Sequence, residues 1–257
     1  PGFKVLRAFL ADGLLTNEGD SWFRQRRIVQ PAFHHARIAT FAKTMTVAAT
    51  ELADRWDRDN RAETNVTAEM MRLTLRIVGQ TLLSTDVTQE ADRVGQALTV
   101  ALHSANGSVD RLVNIPQWIP TPGNIRLRRA LKALDDVVYE MIRHRREHTH
   151  QTPDLLSILM DARDEETGES MNDRQLRDEV MTIFLAGHET TAVALSWVWH
   201  LLSKHPIEAQ RLRSELATVL GGRPPSFDDL PHLTYTTKVI KESMRLYPPA
   251  WITSRCA

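Results

Sequence analysis

The stretch Ala186-Gly-His-Glu-Thr-Thr191 places an acid and two hydroxyl groups in the middle of a long apolar segment. Glycine costs about 1 kcal/mol in a helix interior, a buried carboxylate costs more unless it is partnered, and such breaks of local rules cluster at functional sites. The hydroxyl of Thr190 can turn back onto the carbonyl of Ala186, and Gly187 leaves a gap on the same face. We predict a notch lined by Glu189 and Thr190, large enough for a diatomic molecule and water.

Spacing alone fits equally well a plain core helix in which Glu189 finds a basic partner. A membrane-spanning helix is disfavoured, because an acid at mid-span costs about 2.5–3.5 kcal/mol. A zinc-protease motif needs a second histidine four residues after His188, and position 192 is alanine, so that motif fails.

A second pair of charges, Glu242 and Arg245, lies three residues apart and therefore on one helix face. Exposed pairs of this kind are abundant and are worth only about 0.2–0.5 kcal/mol. Here the surrounding residues are apolar (Val239, Ile240, Met244, Leu246), and Arg can fork two hydrogen bonds to a carboxylate. We predict a partly buried, architectural pair.

Trp22 and Arg26 lie four residues apart, so an indole N–H and a guanidinium stand side by side as a receptor for a carboxylate. The alternative is a surface helix in which Arg24, Arg26 and Arg27 cover a tryptophan that packs beneath them.

Helical periodicity positions all of these residues, and alternating β-branched runs are nearly absent. The longest helix is predicted from Asn172, with Gln175 as capping-box partner, to His205-Pro206, which spans roughly 48 Å. We predict a mainly α fold with minor β structure, as one domain over residues 1–257. The other predicted helices are Asp20–Pro31, Ala36–Arg58, Val66–Leu83, Gln89–Ala105, Arg126–His148, Asp154–Arg163, Pro206–Leu220 and Thr234–Tyr247.

The composition is that of an ordinary globular protein, 42% hydrophobic and 25% charged, with 32 basic residues balancing 32 acidic ones. This balance predicts no attraction to nucleic acid or anionic lipid. The single cysteine, Cys256, cannot form an internal disulfide. We expect a cytoplasmic protein without a signal peptide, and a chain that is incomplete at both ends; a membrane anchor before Pro1 stays open.

Taken in order, the three motifs resemble those of the cytochromes P-450. Ala186–Thr191 looks like the oxygen-binding helix of that family. The resemblance implies that Glu189 and Thr190 relay protons to dioxygen, that Ala186, Gly187 and Thr191 lie beside the haem, and that Phe184 lines the substrate cavity.

Glu242 and Arg245 are similar to the family's Glu-x-x-Arg helix, which holds the region around the haem-ligand loop. The following Trp251-Ile-Thr-Ser-Arg255 resembles the strand whose arginine contacts a haem propionate, which makes Arg255 a candidate ligand of that group. By the same resemblance the residues that face the substrate are Ala250, Trp251 and Ile252.

The segment with Trp22 and Arg26 looks like the family's Trp-x-x-x-Arg helix, which implies that this pair holds a haem propionate. Arg24 and Arg27 would then contribute to a basic face that docks an acidic electron donor of the ferredoxin or flavin type.

The family's Phe-x-x-Gly-x-x-x-Cys loop, which supplies the thiolate ligand, is absent from the sequence. Cys256 lacks the glycine-rich surroundings of that ligand, so we interpret it as a small buried residue at a strand start. We expect the ligand cysteine beyond residue 257, no other metal site, and an inactive fragment.

The resemblance implies a cytochrome P-450 fold (helices C to K of the family) and a monooxygenase that uses haem b (iron-protoporphyrin IX) and O2. Its substrate would be a small apolar organic molecule, and we expect a monomer that receives electrons from a separate protein. The rival hypothesis is a non-catalytic all-α binding or scaffold protein, or a degenerate relative that keeps only the fold.

Overall fold

The computed structural model describes residues 3–59, 63–82, 94–101, 104, 119–147, 154–164 and 167–251. Contacts group these residues into two compact units. Unit 1 holds the described residues up to 34 and between 79 and 186, and unit 2 holds those between 35 and 78 and between 187 and 251. The single domain over residues 1–257 stays a prediction.

Helices account for most of the described residues, which confirms the predicted mainly α fold. No strand occurs in these ranges, where the β structure is an isolated antiparallel bridge between Arg163 and Ser170. Short 3-10 helices lie at Gln30–Phe33 and Phe227–His232. The α-helices are α1 (Phe3–Leu10), α2 (Gly19–Val29), α3 (His35–Asp59), α4 (Val66–Leu82), α5 (94–101), α6 (Pro122–Glu147), α7 (Leu155–Asp161), α8 (Asp173–Lys204), α9 (Pro206–Leu220) and α10 (Thr234–Leu246).

The ends of the long helix α8 follow from local sequence. At its start, the backbone N–H of Asn172 donates to the Gln175 side chain and the Gln175 N–H donates to the Asn172 side chain, both at 3.0 Å. This reciprocal arrangement is the predicted capping box. At its end, His205 precedes α9, whose first residue is Pro206. The sequence did not predict α1, because its eight residues make only about two helical turns, fewer than the window over which helical periodicity is judged.

Unit 1 is held together by apolar faces of α6, α7 and the first half of α8. Residues with at most 2% exposure include Leu134, Ile142, Leu156, Leu159 and Leu176. A buried ion pair joins the end of α6 to the start of α7, between Arg145 and Asp154. Asp154 also caps α7, because its side chain accepts the N–H of Ser157 at 2.9 Å.

Unit 2 packs α3, α4 and the second half of α8 around one apolar cluster. Its buried members are Leu52, Met70 and Ala192, and the partly buried Trp56 and Leu195 lie against them. In contrast, α9 buries no residue.

The sequence Val180–Leu202 is mostly apolar, which favours burial on almost every face of a helix, but part of its second half is exposed. Trp199 is 47% exposed and His200 is exposed as well. Among the described helices, none combines the length and apolar character that crossing a bilayer requires.

Candidate functional site

The Ala186–Thr191 motif lies within α8, and its small side chains form an exposed face. Ala186, Thr190 and Thr191 are exposed, although Leu185 and Ala192 beside them are buried. Because residues four positions apart share a helix face, Ala186 and Thr190 lie one above the other. Glu189 is half-buried. The motif therefore offers a small hydroxyl to solvent with a carboxylate next to it in sequence.

Gly187 has a different role from the predicted gap. A Cβ atom at this position would lie 3.1 Å from Cγ2 of Val78, which is tighter than ordinary van der Waals contact. The missing side chain lets α4 approach α8 closely. The prediction that Gly187 leaves an open gap on the Thr190 face is therefore wrong, because Val78 uses that space.

His188 is buried within the same motif, with 4% of its surface exposed. Burial lowers its pKa to about 4, and the neighbouring backbone of Met71 offsets this only in part. Neither ring nitrogen makes a hydrogen bond among the described residues. At neutral pH the imidazole is uncharged, and it acts as a core side chain of unit 2.

On α2, the structure brings Trp22 and Arg26 together as predicted. The guanidinium carbon of Arg26 lies 5.1 Å from the centre of the Trp22 ring, which allows a cation–π interaction. The indole N–H, however, donates to the backbone carbonyl of Leu14 at 3.0 Å. Because an indole has one N–H, that donor is already used here, and Arg26 is the member of the pair that faces solvent.

The other two arginines of α2 are paired with acids of the same unit. Arg27 lies 3.2 Å from the buried carboxylate of Asp164, and Arg24 lies 3.0 Å from Glu169. Their positive charge is offset, which weakens the predicted basic docking face. In the part of the chain that the structure describes, no acid pairs with Arg26. Arg26 is therefore the arginine of α2 that can take an anion from outside.

Glu242 and Arg245 form the predicted pair on α10. The Arg245 Nε and Nη2 donate to the two Glu242 oxygens at 2.8 and 2.7 Å. Their side chains are 56% and 67% exposed, so the predicted partial burial is wrong within the described residues. The hydrogen bonds from Arg245 lower the pKa of Glu242. Glu242 lies at one side of an apolar groove of about 400 Å³, lined also by Leu201, Leu202 and Val239.

The residues predicted to face a substrate differ in how far they are buried. Phe184 is buried and lines a small apolar cavity with Val138 and Met141 of α6. Ala250 and Trp251 are exposed, Trp251 by 77%.

Three further predicted positions, Ile252, Arg255 and Cys256, lie outside the described residues. Within those residues, no group of three or more His, Cys, Asp and Glu side chains could hold a metal ion.

Sequence reasoning missed a set of contacts between the turn 11–17 and the start of α8. The backbone N–H of Leu14 donates to Glu179 at 3.2 Å, and that of Asp12 donates to Asp178 at 3.3 Å. Glu179 has no exposed surface. Burial raises its pKa to about 7, which the Leu14 N–H opposes and the nearby Asp178 reinforces. The sequence did contain a signal for these contacts, because two adjacent acids come directly before the apolar stretch of α8. However, no neighbouring residue identifies the groups that they bind.

Comparison with known proteins agrees with the motifs. The sequence profile described as Cytochrome P450 matches residues 1–257, which is the entire chain. This chain belongs to the cytochrome P450 family.

Among relatives, this P450 chain is 40% identical over 253 residues to pentalenene oxygenase of Streptomyces avermitilis and 38% identical over 251 residues to cyclooctatin synthase of Streptomyces melanosporofaciens. These alignments cover 97% of this chain and 55% and 54% of the two relatives. It is 29% identical over 283 residues to leukotriene-B4 omega-hydroxylase 3 of Mus musculus, covering 99% of this chain and 53% of that protein. The P450 chain thus spans about half the length of the curated relatives it matches.

Membership of the P450 family implies haem and O2. The residues present fit such a group in two respects. Arg26 has no acid partner among the described residues and suits a carboxylate such as a propionate. Ala186, which belongs to the same unit as Arg26, is exposed and has a small side chain, so a flat ring could approach the backbone of α8 closely there.

Proposed function

We propose that the protein carrying this chain is a haem-dependent monooxygenase, which inserts one oxygen atom of O2 into a small apolar organic molecule. The observation that carries this proposal is the P450 motif on α8. There the exposed Thr190 and the half-buried Glu189 interrupt a mostly apolar stretch of α8. The cofactor, haem b, supplies the redox chemistry that activates O2.

Arg26 is proposed to bind a haem propionate. A charge-assisted hydrogen bond is about twice as strong as a neutral one, and the Trp22 ring restricts the guanidinium to one side of α2. We expect Arg26→Ala to weaken haem retention by about 10- to 100-fold, since a hydrogen bond to a charged group contributes about 1.5–3 kcal/mol. Arg24→Ala is the matched control, because Arg24 already pairs with Glu169.

Thr190 and Glu189 are proposed to hold and transfer the protons that oxygen activation consumes. The Thr190 hydroxyl can both accept and donate a hydrogen bond, and the Glu189 carboxylate can bind and release a proton. Positioned groups of this kind typically contribute about 10²–10⁴-fold to a rate. Ala186 and Thr191, which are exposed beside them, are proposed to contact the haem, whereas Gly187 serves the close approach of Val78.

The substrate class follows from two relatives of this chain, pentalenene oxygenase and cyclooctat-9-en-7-ol 5-monooxygenase. The first is named for an unsaturated hydrocarbon and the second for an unsaturated alcohol, so we propose a largely apolar, unsaturated substrate. Phe184, Ala250, Trp251 and Ile252 are proposed to line its site, and Arg255 to assist Arg26. The electron donor is proposed to be a separate ferredoxin- or flavin-type protein.

The test is the absorption spectrum of the whole protein that carries this chain, purified, reduced and placed under carbon monoxide, followed by turnover measurements. We expect the band that is typical of a thiolate-ligated haem. Thr190→Val should keep this band and consume electrons with much less product. Ser196→Ala is the control, because that hydroxyl bonds within α8 to the Ala192 carbonyl at 2.7 Å. Absence of the band would refute the proposal and favour a non-catalytic member of the family.

A further inference from the structure

The turn 11–17, which we call the 11–17 turn, is hydrogen-bonded to two helices of unit 1 at once. Its own backbone bonds join Gly13 N–H to Leu10 O at 3.0 Å and Thr16 N–H to Gly13 O at 2.9 Å. These internal bonds leave the N–H groups of Asp12 and Leu14 for other partners. Both find a carboxylate at the start of α8.

The backbone of Leu14 connects α8 to α2. Its N–H donates to Oε2 of Glu179 at 3.2 Å, and its carbonyl accepts the indole N–H of Trp22 at 3.0 Å. The backbone of this one residue therefore links a fully buried acid to the tryptophan on which Arg26 stacks.

The backbone of Asp12 makes the same kind of bridge between α8 and α2, two residues earlier in the chain. Its N–H donates to Asp178 at 3.3 Å, and its carbonyl accepts the side-chain amide of Gln25 at 2.9 Å. Gln25 is itself buried on α2. Two parallel bridges fix α2 more firmly than one, because a single bridge would still allow rotation about it.

Gly13 lies between the two bridging residues, and its backbone is so close to α8 that a side chain would not fit there. A Cβ atom there would lie 2.1 Å from Oγ1 of Thr182 and 2.6 Å from the carbonyl oxygen of Asp178. The backbone of the 11–17 turn is thus in direct contact with α8. Because no gap separates the turn from the helix at this point, we expect a shift of the Glu179 side chain to move the turn as well.

We propose that Glu179, supported by Asp178, is a positioning residue for α2. Through the backbone of Leu14, Glu179 fixes the position of the Trp22 indole. The Trp22 ring in turn fixes the position of the Arg26 guanidinium. This inference deepens the proposed function and rests on the role of Arg26 as a propionate ligand. A buried carboxylate suits the task because it accepts a hydrogen bond strongly and has no water competing for it.

The test follows the environment of Trp22 directly, in the purified protein with and without haem. Labelling with 5-fluorotryptophan gives fluorine resonances that include those of the six tryptophans of this chain, and Trp22→Phe identifies that of Trp22. Glu179→Met keeps the length of the side chain and removes the strong acceptor. Glu179→Gln keeps an amide oxygen that can accept the Leu14 N–H. Met181→Ala is the control for general loss of packing, because Met181 is a buried residue of α8 that lines the cavity beside α6.

We expect Glu179→Met to move or broaden the Trp22 resonance and to speed haem dissociation by up to about tenfold, the scale of one charge-assisted hydrogen bond. Glu179→Gln should restore both readouts to near the parent values. Met181→Ala should lower stability and leave the Trp22 resonance in place.

An unchanged Trp22 resonance in Glu179→Met would overturn the proposal, as would an equal change in Met181→Ala. A moved resonance with unaltered haem dissociation would also overturn it, because α2 would then be positioned for something else. If the parent protein takes up no haem, the proposed function fails, while the fluorine measurement still decides whether Glu179 positions Trp22.

Discussion

Replacing Glu179 with glutamine is expected to remove a loss of stability that the protein suffers as the pH rises. Glu179 has no exposed surface, and one of its oxygens makes no hydrogen bond among the described residues. Its other oxygen accepts the Leu14 N–H. Glutamine preserves the shape and that acceptor, but it never carries the charge whose burial is costly.

The size and sign of the effect follow from the pKa. Burial raises the pKa of Glu179 from 4.5 to about 7. Because the folded protein holds this proton more tightly than the unfolded chain, the stabilisation is complete below about pH 4.5 and is lost as the pH rises through about 7. Each pKa unit corresponds to about 1.4 kcal/mol, so the ionised form is destabilised by up to about 3 kcal/mol above that pH.

Urea unfolding from about pH 5 to about pH 8, followed by circular dichroism, measures this difference. Relative to the parent, Glu179→Gln should gain up to about 3 kcal/mol of unfolding free energy towards about pH 8 and little or nothing at about pH 5. Glu63→Gln, at an exposed position outside the helices, controls for the loss of one negative charge. Parallel pH profiles for the parent and Glu179→Gln would refute the reasoning, since they would mean that the carboxyl is ionised at little cost.

Four further substitutions, one of them a control, test the packing within the two units. His188→Leu should make the protein more resistant to acid, because burial lowers the pKa of His188 to about 4, and stability present above about pH 6.5 is lost as the pH falls through about 4; an unchanged acid-unfolding midpoint would contradict this. Gly13→Ala should lower the free energy of unfolding by about 1–3 kcal/mol through overpacking, whereas Gly95→Ala, in open space on a helix, should raise it by up to about 1 kcal/mol; urea unfolding that ranks them the other way would refute the close contact at Gly13. Asp154→Asn should cost about 3 kcal/mol, because the buried Arg145 would lose its counter-charge; a thermal unfolding midpoint near that of the parent would show that the ion pair is hydrated.

Apart from α1, the α-helices with bounds given above could be predicted from the sequence, most of their ends to within a few residues, because the interactions that decide them are local. Apolar residues repeat at helical spacing, and Asn172 and Gln175 cap α8 from three residues apart. The pairing of Glu242 with Arg245 and the stacking of Arg26 on Trp22 are local for the same reason. The order of the three motifs was likewise enough to indicate the family, which the profile match over residues 1–257 then showed.

What surrounds each of these residues was decided only by the tertiary structure. The indole N–H of Trp22 is used by Leu14, and the space at Gly187 is used by Val78. Leu14 and Glu179 meet although 165 positions separate them along the chain. Periodicity shows which side of a helix is apolar, but it contains no information on which distant segment will cover that side. Burial, pKa and the choice of hydrogen-bond partner all depend on that distant segment, and they are therefore properties of the folded chain.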